Sequence, residues 1–280
     1  MTDWTSLAAH DFQLPDGHAA PELLPEALAL LVSPDPAERD GLAYPALATW
    51  LAAGHLDAEL ANLVAEAQAL LQAPEIHSRS FGALLLAAAL SRDAVTRSLA
   101  QPRWRAALDA WAQWYTTETD LRSHDEAAGW LHAVAHGADV AATFAEHPAA
   151  TRPVLLSILD TLLERIQQVD TPLLQTEDDR LALAAFVTLC RPELRDADRE
   201  GWLARLGHLM TPDANGPRPP SAAFAVQVGR ALLMFTHFGL QGQGTPDTPA
   251  SAADSWRGAL LRALHGAFAY AYGELGTVAD

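Results

Sequence analysis

The chain alternates between apolar runs of about a dozen to twenty residues and short clusters of Pro, Gly, Asp and Ser, and this regular punctuation constrains its fold most. Nowhere does it contain a sustained stretch of alternating β-branched residues, which is the pattern typical of strands. Apolar runs of this length between turn-forming residues are instead typical of helices. The sequence therefore predicts an all-α fold.

The spacing of the first helices also indicates how they pack. A helix, a short turn and a second helix repeat at about 40 residues per pair, the period of HEAT and armadillo arrays. The segment 35–51, DPAERDGLAYPALATWL, loosely resembles the HEAT pattern, although the chain contains no convincing second copy of it. We therefore expect antiparallel helix pairs stacked as a HEAT/armadillo-like or irregular α-solenoid.

The domain organisation depends on one linker signal. A chain of 280 residues, half of them hydrophobic, can bury one large core or two small ones. The loop 211–221 has four prolines in eleven residues and separates a pair of helices within 222–280 from the rest. Two helices are too few to fold alone. We therefore expect a single all-helical domain, 1–280, on which the C-terminal pair 222–280 packs.

Charge and composition exclude several functions. The net charge is -17 and all 18 basic residues are arginine, so lysine-dependent Schiff-base chemistry and the Walker phosphate site are excluded. The acidic balance argues against nucleic acid as a partner, because basic residues supply most of that affinity. The N-terminus has no secretory pattern, and no apolar run is long enough to cross a membrane. We therefore expect a cytoplasmic protein without a membrane anchor.

Two further patterns predict core packing. Trp104, Trp111 and either Trp114 or Tyr115 recur at helical spacing, which indicates the buried face of a helix more often than a ligand site. The single cysteine, Cys190, ends an apolar helical run. It reads as a small core residue and not as a nucleophile.

The stretch 127–144, AAGWLHAVAHGADVAATF, carries the strongest functional signal. Its only ionisable side chains are His132, His136 and Asp139, at positions i, i+4 and i+7, which stack along one face of a helix. Ser123 and Glu126 form a capping-box pattern ahead of it, which predicts a helix start at about His124. The remaining positions are apolar or small, so we expect this helix to be buried on most sides.

Three interpretations of this stripe remain open. Two histidines four residues apart are spaced as in helical zinc sites, so His132, His136 and Asp139 are candidate ligands for zinc, manganese or iron. The motif is HAVAH and not HExxH, so a general base would come from elsewhere, with Asp120 and Asp125 as candidates. The alternatives are metal-free acid/base chemistry and a buried polar network that fixes helix register.

One resemblance strengthens the interest of this stretch. The segment from Glu118 to Val140, ETDLRSHDEAAGWLHAVAHGADV, resembles the signature of a bacterial family of unknown function, and the similarity would extend over most of the chain. That resemblance implies no activity, cofactor or catalytic residue. The GxSxG, GxGxxG and Walker patterns are all absent from the sequence.

The sequence leads to two functional hypotheses and does not decide whether the protein is an enzyme. The first is an interaction or small-ligand-binding module, with a central cleft lined by His132, His136 and Asp139 and an unidentified protein or small-molecule partner. The second is a divalent-metal-dependent hydrolase that uses the same three residues as ligands.

Overall fold

The computed structural model describes residues 2–14, 17–211, 216–241, 247–269 and 273. Helices dominate these residues, and the only sheet among them is a pair of two-residue strands. The predicted all-α class is therefore confirmed. The chain divides into two compact units, Met1–His147 and Pro148–Asp280.

The first unit contains eight α-helices, a π-helix, a short 3₁₀ helix and the two strands, all within its described residues. In chain order these are α1 Trp4–Ala9, α2 Ala20–Leu31, α3 Pro36–Glu38, the π-helix Arg39–Ala43, α4 Tyr44–Ala53, the 3₁₀ helix Asp57–Glu59, α5 Leu60–Leu70, α6 Ile76–Thr96, α7 Gln101–Thr117, β1 His124–Asp125, β2 Gly129–Trp130 and α8 Ala133–Glu146.

Helix α6 is the centre of the first unit. It packs against α4, α5 and α8, and α7 packs against α5 and α8. Its middle, from Phe81 to Leu86, is buried on every side, because these six residues are either apolar or glycine. A helix that is hydrophobic all round has to be enclosed by its neighbours, as α6 is.

The aromatic stripe of α7 lies in the core, as the sequence predicts. The side chains of Trp104, Trp111, Trp114 and Tyr115 are all buried. Trp111 Nε1 donates to the carbonyl oxygen of Gly137 at 2.9 Å, and the Tyr115 hydroxyl donates to a second carbonyl of α8. These bonds bring the two helices so close that a Cβ at Gly137 would lie 2.2 Å from the Tyr115 ring. The small residues of α8 are therefore a packing requirement.

The second unit is built from five α-helices within its described residues. They are α9 Arg152–Gln167, α10 Glu177–Leu189, α11 Asp196–Met210, α12 Pro220–Phe238 and α13 Asp254–Ala267, with a 3₁₀ helix Ala250–Ala253 before the last. Helix α12 packs against α9, α10, α11 and α13. A single antiparallel bridge joins Leu240 to Thr248.

Within each unit, most helices contact the next helix or the next but one, and α9 also contacts α12. Examples are α5 with α6, α6 with α8, α10 with α12 and α11 with α13. This is the pattern that stacked helix pairs produce. The single-domain arrangement over 1–280 stays a prediction. Residues 212–215 of the proline-rich loop lie outside the described residues, as do 270–272 and 274–280 of the expected C-terminal pair.

The predicted start of the central helix at about His124 is wrong. Helix α8 begins at Ala133, and the residues before it form an antiparallel hairpin in which His124 pairs with Trp130 and Asp125 with Gly129. The side chain of Asp125 accepts hydrogen bonds from the two backbone amides that follow the first strand, Ala127 and Ala128. Such a side-chain turn competes directly with helix formation, so the capping-box interpretation of Ser123 and Glu126 fails.

None of the described helices combines the length and the apolar character that crossing a membrane requires.

Candidate functional site

The hairpin, residues 124–130, is held in place by a buried arginine from the π-helix. The side chain of Arg39 is 0% exposed. Its Nη2 donates to the carbonyl oxygens of Ala128 at 2.6 Å and of Trp130 at 3.4 Å, and its Nη1 donates to that of Ser33 at 3.0 Å. The guanidinium also lies 4.7 Å from the centre of the Phe81 ring. A buried cation with these partners fixes the hairpin on the body of the unit.

Backbone geometry completes the anchor. Gly129 has a φ of +70°, and a Cβ there would lie 2.6 Å from the Cβ of Pro36. The carbonyl oxygen of Ser123 accepts from the amides of Leu131 and His132 at 2.9 and 3.1 Å. His132 itself has a φ of +40° and is the N-cap of α8. The chain therefore turns sharply into α8, and the hairpin is a defined structure instead of a frayed helix end.

An exposed tryptophan lies on this rigid hairpin between two imidazoles. Trp130 is 40% exposed, which is unusual for so large an apolar side chain. Its ring centre lies 5.0 Å from that of His124, edge to face, and 4.5 Å from that of His132, with the planes tilted by 31°. We call these three side chains the aromatic cluster. It offers a surface rich in π-electrons.

The second histidine of the stripe is buried behind the cluster. The rings of His132 and His136 are perpendicular, with centres 5.7 Å apart. His136 is 8% exposed, and its Nδ1 lies 2.7 Å from the Oγ of Ser80, a residue of α6. Ser80 donates its one hydroxyl proton to the carbonyl oxygen of Leu131. Nδ1 of His136 must therefore donate to Ser80, so the neutral imidazole carries its proton on Nδ1 and its basic nitrogen is Nε2.

This polarity bears on nucleophilic catalysis. In a serine–histidine pair the hydroxyl gives its proton to the imidazole, whereas here the imidazole donates to the hydroxyl and Ser80 is 0% exposed. The Ser80–His136 pair thus links α6 to α8 in the manner of a structural hydrogen bond. It does not have the arrangement of an activated nucleophile.

The third member of the stripe, Asp139, is half-buried on α8, and its carbonyl oxygen accepts from the Thr143 hydroxyl at 2.9 Å. The structure thus brings His132 and His136 together, although His132 precedes the helix instead of lying on it. Among the described residues, no three His, Cys, Asp or Glu side chains are grouped as a metal site would require. Metal binding by His132, His136 and Asp139 stays a prediction.

The two carboxylates suggested as a general base, Asp120 and Asp125, share one partner. Arg122 donates to Asp120 at 2.7 and 2.9 Å and to Asp125 at 3.0 Å. The hydrogen bonds from Arg122 lower the pKa of Asp120, and those from the turn amides of Ala128 and Ala127 lower the pKa of Asp125. Lowered pKa values weaken both carboxylates as bases, so their catalytic role stays a prediction. Both are ionised at neutral pH, which matters for the charge of the hairpin.

A third carboxyl approaches the cluster from the π-helix. Asp40 lies beside Arg39, with 2.8 Å between Oδ1 and Nε, and 23% of its side chain is exposed. Neither of those two atoms has an aligned hydrogen-bond partner among the described residues, so the contact is mainly electrostatic. Burial raises the pKa of Asp40, while Arg39, a hydrogen bond with the Trp130 backbone and the charge of His124 oppose the rise. Asp40 therefore borders the aromatic cluster.

A separate polar cleft of about 240 Å³ lies where α7 ends. Glu118 forms its floor and accepts from Nε and Nη2 of Arg79 at 2.6 and 2.9 Å, and from Trp114 Nε1 at 3.0 Å. Burial alone would raise the pKa of Glu118, but these hydrogen bonds, one from the Asp120 amide and the charge of Arg79 outweigh it and hold the pKa below its usual range. We interpret this ion pair as structural support for the segment that leads into the hairpin.

No sequence pattern indicated the roles of Arg39, Asp40 and Ser80. They are 40 to 100 residues from the hairpin in the chain, so only the tertiary fold joins them to it. A local signal for the hairpin did exist, because an aspartate followed by a glycine is typical of turns. The run Asp125 to Gly129 contains both residues.

Comparison with known proteins places the chain in a family. The model of the family described as "Protein of unknown function (DUF2785)" matches residues 71–228, more than half of the chain, so the chain belongs to this family. The matched range includes the hairpin, α8 and Ser80, whereas Arg39 and Asp40 precede it. No curated protein and no solved structure matches the chain.

Proposed function

We propose that this member of the DUF2785 family is a binding module, and that the aromatic cluster of His124, Trp130 and His132 is its site for a small-molecule partner. The observation that carries the proposal is the exposed indole of Trp130, held between two imidazoles on an anchored hairpin. Exposing so large a ring costs hydrophobic free energy, and tryptophan is enriched at surfaces that contact a partner.

Rigidity supports this proposal. The carbonyl oxygen of Trp130 is bonded by Arg39, Gly129 fits tightly against Pro36, and the adjoining strand is closed by Asp125. A ligand that stacks on the indole would therefore meet a surface that is already ordered and would not have to bear the cost of ordering it. Cytoplasmic location stays part of the proposal and follows from the sequence composition alone.

The proposal is tested by a fragment screen of the full chain, with ligands detected through NMR shifts of the tryptophan indole N–H groups. The Trp130 signal is assigned by its absence in Trp130→Phe. We expect fragments to shift this signal first and to lose most of their affinity for Trp130→Ala. If no fragment shifts Trp130 while fragments shift indoles elsewhere, the binding site is not the aromatic cluster.

The alternative function, a divalent-metal-dependent hydrolase using His132, His136 and Asp139, has one favourable observation. The neutral His136 has its basic nitrogen at Nε2, and a metal-binding imidazole usually donates its other N–H to a neighbouring group, as Nδ1 does to Ser80. Metal content measured by mass spectrometry tests this alternative, with the wild type beside His132→Ala/His136→Ala. About one equivalent lost in the double variant would favour the hydrolase; no metal in either protein would remove it.

A further inference from the structure

We propose that the aromatic cluster selects a small organic ammonium cation. This inference rests on the proposed function and names its ligand class. The indole of Trp130 has the strongest negative π-face of any side chain, and 40% of it is exposed. His124 and His132 pack against it, with ring centres at 5.0 and 4.5 Å from that of the indole.

The charges around the cluster favour a cation. Asp120 and Asp125 are both ionised and share a single guanidinium, that of Arg122, so this group of three carries one net negative charge. Asp40 lies against Arg39, and the side chain of Glu126 is exposed at the hairpin turn. Four carboxylates and two arginines thus lie on the hairpin and on the segments bonded to it, and the excess negative charge attracts cations.

The positive groups near the cluster are already engaged. Arg39 is fully buried and bonded to four backbone carbonyls, and Arg122 bonds two carboxylates. The chain has no lysine, so no side chain of its own supplies an ammonium group that could compete for the indole. An anionic ligand would instead face the carboxylates of the hairpin. An uncharged ligand could stack on Trp130 but would gain no affinity from the negative charge of the nearby carboxylates.

The test compares choline with its uncharged carbon isostere, dimethylbutanol, which has the same shape without the charge. Both are titrated into the full chain at neutral pH and low ionic strength while the indole N–H of Trp130 is followed by NMR. We expect choline to bind at least about fivefold more tightly than the isostere, and we expect the difference to shrink in high salt.

Two substitutions of the exposed ring separate cation recognition from simple hydrophobic contact. Trp130→Phe keeps a weaker π-face, whereas Trp130→Leu keeps only an apolar surface. In these variants choline binding is measured through the NMR shifts of the His124 and His132 rings. The affinity for choline should fall about two- to threefold in the Phe variant and about tenfold in the Leu variant. The affinity for the uncharged isostere should not follow this order among the wild type and the two variants.

Two substitutions that each remove one carboxylate, one at the hairpin and one away from it, supply the matched control. Glu126→Gln removes one exposed carboxylate from the hairpin turn, and Glu66→Gln removes one from an exposed position of α5. We expect the first to weaken choline binding about twofold and the second to leave it unchanged.

The outcomes distinguish this inference from the proposed function. Equal affinity for choline and its isostere, or undiminished choline binding by Trp130→Leu, would overturn the choice of a cation. If uncharged or anionic fragments shift Trp130 and choline does not, the cluster is a binding site for another ligand class and only this inference fails. If no ligand of any class shifts Trp130, both fail.

Discussion

Replacing Arg39 with methionine tests whether the buried guanidinium holds the hairpin in place. Methionine keeps an unbranched apolar side chain but removes the charge, every donor and the contact of the guanidinium with the Phe81 ring. The carbonyl oxygens of Ser33 and Ala128 then lose their bonds of 3.0 and 2.6 Å, and Asp40 loses the cation 2.8 Å from its carboxyl. The substitution therefore releases the hairpin and leaves one half-buried carboxylate uncompensated.

The magnitude follows from these three losses. A hydrogen bond from a charged donor is worth about 1.5 to 3 kcal/mol, so the two short bonds together represent about 3 to 6 kcal/mol. Removing one partner of a buried ion pair typically costs about 3 to 5 kcal/mol, a range that includes loss of the hydrogen bonds. The retained packing of methionine offsets a small part. We expect Arg39→Met to lower the free energy of unfolding by about 3 to 5 kcal/mol.

Urea unfolding followed by tryptophan fluorescence measures this loss, and hydrogen exchange localises it. Amides of the hairpin should exchange faster in Arg39→Met than in the wild type. The control is Arg205→Met, because Arg205 pairs with Asp160 on the surface, where both side chains are more than half exposed. That variant should lose no more than about 1 kcal/mol. A loss below about 1 kcal/mol for Arg39→Met, or unchanged exchange in the hairpin, would refute the anchoring role.

Three further outcomes are expected. Gly137→Ala should destabilise the protein by about 1 to 3 kcal/mol, because the added Cβ would meet the Tyr115 ring. Gly201→Ala, which has open space around it on α11, should stabilise the protein by up to about 1 kcal/mol. The midpoints of urea unfolding of the two variants, compared with that of the wild type, test both expectations. Cys190 is half-buried, and this burial raises the pKa of its thiol to about 12. Ellman's reagent at mildly alkaline pH should therefore react with it at least roughly a hundredfold more slowly in the native protein than in urea, and rapid native reaction would contradict the raised pKa. The pKa of Glu118 in the folded protein is below the ordinary 4.5, so ionised Glu118 stabilises the fold above pH 4.5, and this stabilisation is lost as the pH falls through the lower, folded-state pKa. Glu118→Gln should lower the free energy of unfolding by about 3 kcal/mol at neutral pH. The difference between this variant and the wild type should narrow when urea unfolding is repeated at acid pH.

The sequence predicted the helices well because their signals are local. The all-α class and the buried aromatic stripe of α7, Gln101–Thr117, were both predicted correctly. Apolar periodicity and turn-forming residues lie within each element and need no tertiary information. The burial of Trp104 and Trp111 follows from the same periodicity, because the residues one or two helical turns apart share a face.

The candidate site was predicted only in part, for a physical reason. The i, i+4 spacing correctly brought His132 near His136, but the helix that it assumed begins one residue after His132. The alanine-rich sequence favours a helix through 127–144, and intrinsic helix propensity gives no hint of an interaction that competes with helix formation there. The competing interaction is that of Arg39, almost 90 residues earlier in the chain. No local pattern reveals that its guanidinium needs carbonyl oxygens from this segment.

The need of Arg39 for acceptors explains why the helix stops where it does. If α8 extended back through the hairpin, the carbonyl oxygens of Ala128 and Trp130 would bond to amides within the helix and would no longer turn toward the guanidinium. A fully buried cation without those acceptors costs several kcal/mol. Extending the helix would gain only a few tenths of a kcal/mol per residue and would lose about 1 kcal/mol at Gly129. The hairpin is therefore the lower-energy arrangement, and it projects Trp130 into solvent. The same buried charge that ends the helix thus creates the exposed ring on which the proposed binding site depends.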